Sequence, residues 1–132
     1  MSRLARVSLP QALAYRGGQP MIAWLLHRVS GIGIVFFVSM HILAAFFLYS
    51  VEATSFTGAV SEALTEFYEA LPMQLFMLFA VLYHAINGLR IVVLDMFPGL
   101  WKHNREAMWV QWALFLPMFL LPAALMLMRV KI

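Results

Sequence analysis

No cysteine occurs in the chain. That absence removes disulfides, iron–sulfur clusters, thiolate zinc sites and covalently attached c-type haem together. Charge is scarce as well. Charged side chains make up 11% of the 132 residues, against about 25% in soluble domains. The hydrophobic share is 64%, which excludes a water-soluble monomer and a disordered chain alike. Nine Lys and Arg against six Asp and Glu leave a net charge of +3. That is no nucleic-acid surface, because no basic patch is interleaved with aromatics. A Gly-rich nucleotide-binding loop is also missing.

What is present is long apolar runs. Val29 to Val51, Ala70 to Leu89 and Ala107 to Met128, of 23, 20 and 22 residues, contain no Asp, Glu, Lys or Arg. At about 1.5 Å rise per residue, each crosses a hydrocarbon core of about 30 Å. The second run continues to Leu94 and takes Arg90 with it. The expectation is an all-α integral membrane protein: one domain over 1–132 with transmembrane helices near 29–51, 70–94 and 107–128.

Arg3, Arg6, Arg16 and Arg28 precede the first span, and Lys102 and Arg105 lie between the second and third. The segment between the first two spans holds Glu52, Glu62, Glu66 and Glu69 and no cation. The positive-inside rule therefore puts the N-terminus and the 95–106 loop in the cytoplasm, against only Arg129 and Lys131 at the far end. Residues 1–28 are no secretory signal, since no apolar run separates Arg16 from Arg28. They read as an amphipathic stretch in the headgroups, broken at Gly17, Gly18 and Pro20. The setting is the cytoplasmic (cell inner) membrane.

Ionisable residues inside a span are rare and often functional. Here they are His41, His84 and Arg90, with His27, Arg28 and Asp95 near the inner ends. In the second span His84, Gly88, Ile91 and Asp95 fall on one helical stripe, flanked by Asn87. Gly88 leaves room beside the imidazole for a large flat group or for another helix. A b-type haem needs one nitrogen donor per helix and space for the porphyrin; a packing His hydrogen-bonded to a neighbouring helix fits the same pattern. In the first span His27, Gly31, Ile34, Val38, His41 and Ala45 share a stripe. His41 lies about 21 Å along the helix from His27, a second candidate haem ligand or a second packing His. His103 is a solvated loop residue. Arg28, Asp95 and Trp24 share one membrane face, where they orient a polar headgroup or simply snorkel and cap.

Two strings carry a resemblance. His27-Arg28-Val29-Ser30-Gly31 resembles the His-Arg-x-Ser/Thr-Gly pattern that opens the first span of the succinate dehydrogenase cytochrome b-556 subunit family, the larger membrane anchor of complex II. His84-Ala85-Ile86-Asn87-Gly88-Leu89-Arg90, followed by Asp95, resembles that family's second pattern. Order, spacing and the three-span layout agree. The resemblance implies that His84 is an axial ligand of haem b, with the second ligand on a smaller partner anchor subunit. It implies that His27 and Arg28, beside Gly31 and Gly88, contact the haem propionates and pocket. Trp24, Arg28, Ser30 and Asp95 would border a quinone site, for menaquinone or ubiquinone. Electrons would arrive from an iron–sulfur subunit on the cytoplasmic face and, beyond it, a flavoprotein that oxidises succinate. Trp24 stands where many members carry Ser. His41 is absent from single-haem members, whereas two-haem relatives use a first-span His for a second haem. Without the resemblance, the competing class is a small transporter or channel subunit with an intramembrane His and Arg path.

Overall fold

The computed structural model describes residues 18–49 and 55–129. Helix α1 runs Gly18–Leu48. The chain enters it through Gly18 at a φ of +66°, a conformation that suits a residue without Cβ. Pro20 sits in the first turn, where a missing N–H costs nothing. Helix α2 spans Ser55–Glu69. Helix α3 spans Leu71–Met96 and also carries a proline at its start. A 3-10 turn over Pro98–His103 leads into α4, Asn104–Arg129, which continues through Pro117 and Pro122.

Two features differ from the expectation. Helix α1 starts well before Val29, so that residues 18–28, expected as a broken interfacial stretch, are helical; the rest of that stretch lies outside the described residues. Gly18 and Pro20 initiate the helix instead of breaking it. The acidic connection also holds a helix of its own, α2. Its Ser61, Leu64, Thr65 and Tyr68 turn inward at helical spacing while Glu62, Glu66 and Glu69 stay exposed. Ser61 Oγ donates to the Ala44 carbonyl at 3.1 Å and ties α2 to α1.

Three helical stretches, Gly18–Leu48, Leu71–Met96 and Pro98–Arg129, are long and apolar enough to cross a membrane. They are antiparallel in turn. Gly33 meets Phe76 and Gly31 meets His84 across α1 and α3. Phe79 meets Phe119, and Tyr83 meets Trp112, across α3 and α4. Helix α3 is the middle element: α1 and α4 pack on it and not on each other. The three spans therefore form a row rather than a closed bundle. Buried positions on α1 are small, Ala23, Ser30, Gly33 and Ala44, which lets α3 approach closely. The α3–α4 seam is aromatic, with Phe115 and Phe119 stacked at 5.5 Å. Large apolar side chains such as Ile32, Val35 and Leu121 are about two-thirds exposed, as lipid or a partner helix requires.

Candidate functional site

The site is built where α1 and α3 touch. His84 Nδ1 lies 3.1 Å from the His27 carbonyl oxygen and 3.2 Å from Ser30 Oγ. The Ser30 hydroxyl donates to the same carbonyl at 2.9 Å. A carbonyl oxygen only accepts, so the His84 contact forms with the proton on Nδ1. Nε2 then carries the lone pair. This is how a backbone carbonyl fixes the tautomer of a metal-ligating histidine.

Gly31 makes the approach possible. A Cβ there would lie 2.9 Å from His84 Cε1 and 3.4 Å from Nδ1. The His27 ring stacks on the His84 ring at 3.9 Å and 10°, and His27 Nδ1 is buried without a partner. Gly88 is less demanding, since a Cβ there would make an ordinary contact of 3.5 Å with His27 Cε1. Beside the two imidazoles opens a groove of about 760 Å³ lined by His27, Arg28, Gly31, Val35, Phe36 and His84.

The other residues singled out in the sequence are placed as follows. The Arg28 guanidinium lies 4.2 Å above the Trp24 ring, and both are exposed beside the groove. Ser30, expected with the quinone group, is buried and turned to His84. Asp95 is exposed near the end of α3, and no ion pair joins it to Arg28. His41 lies on the other half of α1, exposed, with its ring 6.3 Å from Phe37 and 5.3 Å from Tyr68 of α2. It does not line the groove with His84.

Sequence reasoning missed the polar seam between α3 and α4. Tyr83 and Asn87 are fully buried and Gln111 nearly so. The Asn87 amide, Gln111 Oε1 and the Arg90 Nε and Nη1 atoms have no hydrogen-bond partner. The stripe Tyr83, Asn87, Arg90 was legible at spacings of four and three, but its acceptor helix was not. Among the described residues no group of three or more His, Asp or Glu could hold a bare metal ion. A haem asks less of one chain: an imidazole with a free Nε2 lone pair and clearance for a flat ring. His84, Gly31, the orphaned His27 Nδ1 and the groove fit that demand.

Comparison with known proteins agrees with this layout. The profile of the succinate dehydrogenase/fumarate reductase transmembrane subunits matches residues 3–125. The chain is 30% identical over 120 residues to the succinate dehydrogenase 2 membrane subunit SdhC of Mycobacterium tuberculosis, covering 91% of this chain and 85% of that protein.

Proposed function

Because the chain belongs to the family of succinate dehydrogenase/fumarate reductase transmembrane subunits, we propose that it is the haem-bearing, quinone-reducing anchor of its complex, with His84 as an axial ligand of haem b. Family membership replaces the alternative of a transporter or channel subunit. The observation that carries the reading is the His84 Nδ1 contact with the His27 carbonyl at 3.1 Å, which leaves Nε2 free for iron.

Each residue of this chain has a stated task. The His27 carbonyl and Ser30 hold the His84 ring, and Gly31 keeps the space beside it clear. His27 Nδ1 and Arg28 supply donors for haem propionates. Bound there, haem b supplies a one-electron carrier inside the membrane. A row of three helices presents one imidazole to the groove from this chain apart from the stacked His27, so a partner anchor subunit would supply the other ligand to the haem.

Trp24 and Arg28 form the quinone-facing edge, and Asp95 lies about three turns beyond His84 on α3, toward the end of the row. Arg28 donates to a quinone oxygen there, and Asp95 is a carboxylate from which protons reach the reduced ring. Ser30 borders this edge through the His27 carbonyl rather than through an exposed hydroxyl. The succinate centre lies on other chains: a flavoprotein, joined by an iron–sulfur subunit docked against the Arg-rich end. The positive-inside pattern puts that end, with the N-terminus, on the cytoplasmic side of the inner membrane. His41 would hold a second haem, nearer the opposite face.

The test is a redox titration of the purified complex with haem and flavin counted. Two b-type components at two haems per flavin are expected. One component at one haem per flavin returns His41 to packing. No b-type band at all overturns the reading.

A further inference from the structure

At the end of the row that carries Asp95, α3, the 3-10 turn and α4 enclose a second groove, of about 340 Å³. Its walls are aliphatic, with Leu89 and Val93 on one side and Val110 and Leu114 on the other. Four polar side chains break that lining: Arg90 and Gln111 within it, and His103 and Glu106, which face each other, at its outer end. Arg90 Nε and Nη1 are buried without a partner, and so is Gln111 Oε1 on a residue that is 3% exposed. Among the described residues no carboxylate pairs with Arg90; the ion pair at this end is His103 with Glu106 at 3.9 Å. A cation held inside a membrane span without an anion is costly enough to demand a partner.

The order of groups with depth says what that partner is. Exposed Lys102 and Arg105 lie at the helix ends, where headgroups lie, and together with Arg90 make three cations there against two acids, Asp95 and Glu106. Arg90 follows, a turn and more into α3. Gln111 is deeper still, because it meets Tyr83, two turns back along α3. Leu114 lies deepest. Cation, amide, aliphatic wall is the sequence of phosphate, ester and acyl chain in a phospholipid.

We propose that this groove holds one anionic phospholipid, with its phosphodiester on Arg90, an ester carbonyl at the Gln111 amide and an acyl chain between Val93 and Leu114. With the Gln111 amide turned so that the Tyr83 hydroxyl donates to Oε1, its N–H groups face the groove and can donate to the ester. Basic pockets between membrane helices are a recognised setting for anionic headgroups. The site is independent of the haem reading and survives its failure.

The test uses the intact complex in detergent with a phosphatidylglycerol probe bearing a photoreactive group on one acyl chain. Labelling should map to the α4 peptide with Val110 and Leu114. Phosphatidylglycerol should compete it away and phosphatidylcholine should not. Arg90→Gln should lower labelling about fivefold, the worth of one cation at a lipid surface. Arg90→Lys should restore most of it, and Leu114→Trp should block it with Arg90 intact. Copurification of each variant with the other subunits controls for folding. Equal labelling by a phosphatidylcholine probe, labelling indifferent to Arg90→Gln, or a cross-link from this groove to a partner polypeptide would each overturn the proposal.

Discussion

At the scale of single residues, the site depends on a glycine. His84 is held by two acceptors on α1, and Gly31 is the position that lets it come near them. Gly31→Ala puts a methyl 2.9 Å from Cε1. The ring cannot retreat without losing the His27 carbonyl. Overpacking of this kind costs about 1–3 kcal/mol, so we expect reduced haem occupancy or a shifted midpoint potential, read by titration. An unchanged spectrum and potential would show that His84 is not held as described. Arg28 makes a separate prediction. Arg28→Gln should lower quinone reductase activity several-fold while succinate oxidation by an artificial acceptor persists; equal loss of both would indicate misassembly. His84, Gly31 and Arg28 were all legible in the sequence, because intramembrane His and Arg stand out against apolar neighbours and Gly31 shares the stripe of His27. The turning of Ser30 toward His84 was not legible, since helical spacing alone does not say which neighbour a hydroxyl meets.

At the scale of elements, small residues decide how closely α1 and α3 pack. A Cβ at Gly33 would lie 2.8 Å from the tip of the Phe76 ring. That ring is partly exposed and can swing, so Gly33→Ala should be tolerated. Gly33→Leu should drive the helices apart and destabilise the purified complex by about 1–3 kcal/mol, read as a lower melting temperature; equal melting of the two variants would contradict the packing. The three spans were visible as runs without charge. Helix α2 was not, because its Glu62, Glu66 and Glu69 mask an inward face of Ser61, Leu64, Thr65 and Tyr68 that only the contact with α1 explains. The early start of α1 was hidden for a related reason: Gly18 and Pro20 read equally well as breakers and as initiators.

At the scale of the whole molecule, the row of helices leaves broad apolar faces on either side of α3 and a groove at His27 and His84 that opens along one of them. Apolar faces of this extent suit lipid and the other subunits of the complex. The spans and their charge asymmetry foretold a multi-pass membrane protein, but a single chain does not encode which of its faces meets a partner. Ligation of haem b by His84 is tested by the reduced-minus-oxidised spectrum of the purified complex carrying His84→Ala. One b-type component should be lost or converted to a high-spin form while the subunits remain assembled. An assembled His84→Ala complex with the full low-spin spectrum of the wild type would contradict that ligation.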